Sequence, residues 1–375
     1  MSMGMNIDFG RTRLSFTLSW YLARHFLLLV GSVFLGILAI VFIADTIELL
    51  RRSAAHDDVG FRTIIIMALL KQPNMAQIIL PFVVLFAGLL SFTRLTRSQE
   101  LVVARAAGIS VWQFLAPALI CALLIGGFRV TLFNPFASIL TARYEFLEST
   151  NLGWSNNLLS VTDAGLWLRQ STDTGSSILH AGGVDPATQM FRGIIVFMFD
   201  RNEQFSGRID AAQARLEPGT WVFESVVIKE GDEAPQQRET YRLPTDLTLE
   251  NLQESFAAPE TMSFWDLPRF IKVLEDAGFS AQRHRLYLHS LLASPFLLCA
   301  MVLIAATFSL RLTRRGGTLT VASGGLFAGF LLYFCSDLVY ALGLSGRIPV
   351  ELSAWTPAVV SLLLGISLLF HLEDG

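Results

Sequence analysis

The residues best able to do chemistry are ionisable groups set among apolar ones. Arg51 and Arg52 follow one long apolar run, Arg129 stands near the end of another, and Asp337 interrupts a third. A guanidinium holds a phosphate through two parallel N–H donors, so arginines at a membrane rim suit an anionic lipid headgroup. Ionisable groups at span depth cost roughly 2.5–3.5 kcal/mol each on insertion scales unless they pair or meet water. Arg129 and Asp337 therefore either pair or snorkel, or they line a polar-rimmed cavity. Arg51 and Arg52 fit that cavity and equally fit a solvated loop.

A second candidate is the stretch RSQELVVARAAGIS, Arg97 to Ser110, a short charged helix between two apolar blocks. Thr96 and Gln99 have the spacing of a capping box, and Gly108 that of a C-terminal stop. Val102, Val103, Ala106 and Ile109 form an apolar strip. Such a helix is either an interfacial elbow or a handle for a partner on that side of the membrane. The chain has no GxxxxGK[ST] loop, so it has no P-loop of its own with which to bind ATP. It has no HExxH either, and Cys121, Cys299 and Cys335 have neither disulfide nor metal-ligand spacing. Ser280, within GFSAQRH (Gly278–His284), reads as a turn or cap serine rather than a nucleophile.

The elements that must position these groups are mostly spans. The chain has 375 residues with 16% charged and a formal net charge of −3, and a mean hydropathy of +0.52. That balance belongs to an integral membrane protein and gives no reason to invoke nucleic acid. A span needs about 20 apolar residues, and six segments qualify: roughly 26–45, 64–92, 113–133, 288–310, 318–342 and 355–371. The first lacks a small-x-small cleavage site and reads as an uncleaved span. Leu14, Leu18 and Tyr21 before it share one face, as in a short interfacial helix. Pro73 and Pro81 are positioned to kink the second span.

Residues 135–262 differ in texture. GLWLRQ, FRGIIVFMFD, GRIDAAQARLE and TWVFESVVIKEG alternate with turn signals, which predicts a β-sandwich or open barrel. A connecting helix follows, capped by Ser263, with Phe264, Leu267, Phe270 and Leu274 on one face and Gly278 at its end. Three regions result: spans 1–3 with the charged helix (about 96–110) in 1–134, a β-domain in 135–262, and the connecting helix with spans 4–6 in 263–375. Nine arginines (11, 13, 24, 94, 97, 105, 311, 314, 315) lie on one side of such a bundle and four (51, 52, 62, 347) on the other. The positive-inside rule then places both termini in the cytoplasm and the β-domain outside.

RSQELVVARAAGIS resembles the loop-helix of the LptF/LptG permeases of bacterial lipopolysaccharide export. The order of three spans, β-domain, amphipathic connector and three spans matches that family over nearly the whole chain. The segment from Ser263 to Gly317 and YFCSDLVYALG (Tyr333–Gly343) resemble its LptG branch. The resemblance implies an α+β inner-membrane protein: six transmembrane helices with a periplasmic β-jellyroll inserted between helices 3 and 4. It implies no enzyme activity and no cofactor. The implied partners are an LptF-like permease subunit, an LptB-like ATPase dimer, an LptC-like single-span protein and an LptA-like periplasmic bridge. The substrate would be lipopolysaccharide, entering laterally and expelled upward by ATP-driven closure. The ATPase-docking residues would be Arg97, Gln99, Glu100, Val103, Arg105 and Gly108, with Glu100 facing a basic partner residue. Arg51, Arg52, Arg129 and Asp337 would form the lipid-binding rim. One departure is that an earlier basic position of the family falls near Phe42, which is apolar.

Within the β-domain Ile194, Val196 and Met198 or their neighbours are candidates for acyl contact, or are ordinary core. Three other readings compete: the paralogous LptF subunit, a permease for a different envelope lipid or lipoprotein, and a scaffold that holds an envelope complex without transporting. Co-purification with an ATPase and a second six-span subunit separates a transporter from a scaffold.

Overall fold

The computed structural model describes residues 16–53, 60–152, 159–162, 165–172, 175–184, 190–200, 204–230, 234–245, 257–276, 279–310 and 318–373. Long helices form where apolar residues run on without a turn signal: α1 (Phe16–Ser53), α2 (Phe61–Arg97), α4 (Val111–Phe128), α7 (Gln282–Leu310), α8 (Thr318–Leu344) and α9 (Val350–Glu373). Six helical stretches among the described residues are long and apolar enough to cross a membrane. Each overlaps one of the six expected segments, and the first and third run well beyond theirs.

At the first span the helix is continuous from Phe16, so Leu18 and Tyr21 belong to the spanning helix and not to a separate interfacial one. No turn residue separates them from the apolar run, which explains why the helix does not break. Leu14 lies outside the described residues. At the third span α4 passes through a single π-turn, Arg129–Phe133, into α5 (Asn134–Leu152). The sheet therefore begins at Leu159 and not near residue 135.

The bundle packs by close backbone approach. A Cβ on Gly126 would lie 2.5 Å from Pro295 Cα, which seats α4 directly against α7. Small residues take this role because lipid offers no hydrophobic drive for helices to associate. α2 and α7 are the inner helices; Val83, Val84, Leu85, Leu298, Val302 and Ala305 are buried between them and their neighbours. α1 and α8 are mostly exposed within the chain.

Between α5 and α6 (Leu267–Asp276) the described residues form a seven-stranded antiparallel sheet in the order β1-β2-β3-β4-β5-β6-β7. The strands are Leu159–Thr162, Gly165–Thr172, Gly175–Val184, Phe191–Phe199, Phe205–Glu217, Thr220–Glu230 and Gln236–Pro244. Every described neighbour pair is consecutive in sequence, a meander, where a two-sheet sandwich was one expectation. Its register aligns Leu168, Leu179, Val196, Ile209 and Ile228 in a row across five strands. All five are buried, as the period-2 alternation of each strand requires. Ile194 and Val196 thus lie in this apolar core, with Met198 packed at its edge.

The connecting helix α6 joins the two regions. Leu267 packs with Val130 and Leu291 of the bundle, while Ile271 and Leu274 enter the core of the sheet. Ser263 Oγ accepts from the Asp266 N–H at 3.2 Å, as its cap role requires. Gly278 lies outside the described residues.

Candidate functional site

Two groups of polar residues stand at opposite ends of the bundle. The separation follows from topology, because the continuous helix from Val111 to Leu152 leads from one to the other. At 1.5 Å per residue that helix is about 60 Å long.

At one end the chain leaves α2 at Arg97 and turns into α3 (Glu100–Ala106). Thr96 and Gln99 do not form the capping box that their spacing suggests. The Thr96 hydroxyl instead donates to the Phe92 carbonyl at 2.7 Å, because α2 continues through it. Gln99 is the N-cap in the left-handed region (φ 60°), with no side-chain cap bond. The true capping box lies at Ser110 and Gln113, where the next span begins.

The far end of α3 closes as its glycine predicts. Gly108 has φ +83°, its N–H donates to Arg105 O at 3.0 Å, and Ile109 N–H donates to Ala104 O at 3.1 Å. This is a Schellman closure.

The helix so framed has two unlike faces. Leu101 is 6% exposed and joins the core of the bundle, whereas Val102 and Val103 are 57% and 68% exposed. Arg97 and Arg105 are exposed as well. Glu100 Oε1 accepts from Ser98 Oγ at 2.9 Å and from Tyr21 Oη of α1 at 3.4 Å. One carboxylate oxygen is therefore tied to the chain, and Oε2 makes no bond among the described residues. An exposed apolar strip beside a carboxylate and two arginines can dock against a groove of matching chemistry.

At the other end α1, α2 and α5 bring together a charged cluster. Glu48 accepts from Arg51 at 3.0 Å through two nitrogens, and from Arg52 Nε at 2.9 Å. Arg52 also reaches Glu148 at 3.5 Å, and Tyr144 Oη donates to Glu148 Oε1 at 3.0 Å. Lys71 Nζ donates to Asp45 Oδ1 at 2.7 Å. Among the described residues three cations (Arg51, Arg52, Lys71) meet three carboxylates (Asp45, Glu48, Glu148), so their charges balance. Phe42 is packed beside it with Leu49 and Ile64.

Arg129 and Asp337 do not pair with each other. Arg129 Nε is buried without a hydrogen-bond partner in the π-turn. Asp337 is exposed on α8 and lines a cleft of about 190 Å³ with Tyr333, Ser336, Tyr340 and Phe82. Met301 and Leu297 form its apolar floor. The structure thus groups Arg51 with Arg52, and leaves Arg129 and Asp337 as separate features. Ser280 lies in the turn before α7, its hydroxyl accepting from the Gln282 N–H at 3.4 Å.

Sequence reasoning missed Lys71, Glu148 and the buried Asn134. The signal for the first was present: KQPN at 71–74 interrupts an otherwise apolar span, and a lysine there demands a partner. Glu148 carried no such signal, because it falls within 135–262, the stretch whose sequence reads as β-domain.

Comparison with known proteins adds to this geometry. The model of the lipopolysaccharide export system permease family LptF/LptG matches residues 20–371. The chain belongs to the LptF/LptG family. It is therefore a multi-pass inner-membrane protein, of a family that acts as permease subunits of an ABC transporter and not as enzymes. Lipopolysaccharide export system permease protein LptG of Escherichia coli strain K12 is 24% identical over 316 residues, 81% of this chain and 84% of that protein. LptG of E. coli O6:H1 strain CFT073 matches to the same extent.

Proposed function

We propose that this chain is an LptG-type subunit that moves lipopolysaccharide out of the inner membrane, powered by an ATPase docked on α3. One observation carries the reading: α3 turns Val102 and Val103 outward at the end of the bundle opposite the sheet. A chain without a P-loop needs such a handle, and an export device needs its handle and its exit on opposite sides. Arginine counts near the span ends favour α3 in the cytoplasm and the sheet in the periplasm. The LptG-like stretches Ser263–Gly317 and Tyr333–Gly343 are the reason for proposing that branch, and likeness to an LptG over 81% of the chain is consistent with it.

In this scheme Val103, with Arg97, Gln99, Glu100, Arg105 and Gly108, seats α3 in a groove of an LptB-like dimer. Glu100 Oε2 is the atom offered to a basic residue there. An LptF-like subunit covers the exposed faces of the outer helices, and an LptC-like single-span protein and an LptA-like bridge complete the route.

Arg51 and Arg52 hold a lipid phosphate by exchanging Glu48 for it. Exposed ion pairs are weak, and a phosphate offers more charge and more acceptors than one carboxylate. Arg129 and Asp337 add polar groups deeper in the rim. The sheet serves as a jellyroll-type slot whose apolar row, Leu168 to Ile228, opens to receive acyl chains. Each CH₂ so buried contributes about 0.8 kcal/mol, which is why expulsion from a bilayer needs both that row and ATP.

The test is purification from a Gram-negative host. An ATPase and a second six-span subunit should co-purify, and Glu100→Lys should abolish the association. Retention of the ATPase by that variant would overturn docking through α3.

A further inference from the structure

The π-turn in span 3 has a cause in the sequence. In an α-helix the Thr131 carbonyl would accept from the N–H of residue 135, but that residue is Pro135 and has none. The helix widens instead: Asn134 N–H donates to Arg129 O, five residues back. Single π-turns of this kind concentrate at functional positions. The residue before a proline also resists the helical region, yet Asn134 adopts it, with φ −61° and ψ −46°. Something must hold it there.

What holds it is a set of bonds to three other segments. Asn134 is fully buried. Its Nδ2 faces Tyr287 Oη of α7 at 3.1 Å and Gln77 Oε1 of α2 at 3.4 Å. Its Oδ1 accepts the Phe264 N–H at 2.8 Å. One residue on, Trp265 Nε1 donates to the Thr131 carbonyl at 3.1 Å, the group Pro135 leaves unserved. Val130, in the same π-turn, packs on Leu267 at the foot of α6. From there α6 sends Ile271 and Leu274 into the core of the sheet.

We propose that the π-turn, Asn134 and the Phe264–Trp265 link form a joint that fixes the pose of the β-sheet on the bundle. A shift of span 3 about its axis is carried by Asn134 and Thr131 into the link, through α6 and into the sheet. Asn134 is a positioning residue, and Pro135 keeps the Thr131 carbonyl available for Trp265. This goes beyond the export reading, since the joint is defined by bonds within the chain.

The test uses the full chain in lipid nanodiscs, with Asn134→Ala, Pro135→Ala and Trp265→Phe. Hydrogen exchange across 262–267 should quicken at least tenfold in Asn134→Ala and about three- to tenfold in the other two, the loss of one exposed bond. Spin labels on Leu352 and Phe205, both exposed, should report a distance distribution at least twice as wide in the variants. Trp265 is exposed, so Trp265→Phe remains folded and decides the matter if Asn134→Ala does not. Unchanged exchange, or unchanged widths alongside faster exchange, would overturn the joint. Loss of the ATPase from the purified complex bears only on the export reading and leaves these two readouts intact.

Discussion

Leu101 and Val103 are two residues apart on one short helix and face opposite ways, one 6% and the other 68% exposed. Leu101 anchors α3 to the bundle, and Val103 is offered outward. Stability and docking are thereby assigned to different side chains, and mutation can separate them. Leu101→Ala should destabilise the chain by about 2–4 kcal/mol, read as a lower midpoint of thermal unfolding in detergent. Val103→Asp should leave that midpoint unchanged and remove the co-purifying ATPase. A Val103→Asp protein that keeps its ATPase would show that this face is not the contact.

Lys71 and Asp45 join α2 to α1 at 2.7 Å, with both side chains mostly covered. Asp45 Oδ2 is buried without a partner. Removing one charge strands the other, so Lys71→Met should cost about 1–3 kcal/mol, less than a fully buried pair because water still reaches the lysine. Lys71→Met combined with Asp45→Asn should be less damaging than Lys71→Met alone. Additive losses in a double-mutant cycle would mean that the two groups are not coupled.

Gly126 lies against Pro295, where an added Cβ meets backbone at 2.5 Å. Gly126→Ala therefore has to push α4 off α7, at about 1–3 kcal/mol. Gly127, one residue on, has open space, and Gly127→Ala is the matched control. Equal folded yields for the two would contradict this packing.

The arginines at the end of α1 make exposed pairs with Glu48, which contribute little to folding. The double variant Arg51→Gln/Arg52→Gln should lower the unfolding midpoint only slightly, through the loss of the long 3.5 Å contact of Arg52 with Glu148. In cells, a photoreactive residue at Leu50 should then capture several-fold less lipopolysaccharide. Undiminished capture would remove these arginines from the lipid site.

Much of this architecture is legible in the chain. Six apolar runs admit little but spans, because an unpaired backbone cannot cross lipid. Strands β2, β4, β5 and β6 follow their alternation and turn residues. The extension of span 3 to Leu152 is not legible, since its mixed residues Asn134 to Leu152 carry no strong apolar period. The Thr96–Gln99 box fails for a related reason: spacing marks where a cap could form, and the apolar pull of α2 carries the helix past it. Ion pairing is hardest to read. Arg51 and Arg52 look free in one dimension, and Glu48 takes both in three.

The sequence by itself determined what must lie in lipid, what must form strands, and where Gly108 must stop a helix, because each depends on neighbours within a few residues. Only the tertiary structure decided which charges meet. Asp45 finds Lys71 on the next helix, and Arg52 finds Glu148 across 96 residues of chain. The link from Asn134 to Phe264 likewise spans 130 residues. Local patterning fixes the elements because hydrogen bonding and burial repeat with the helical and strand periods. Partnership across elements depends on how glycine and proline contacts such as Gly126–Pro295 set the helices against each other, and no local period encodes that.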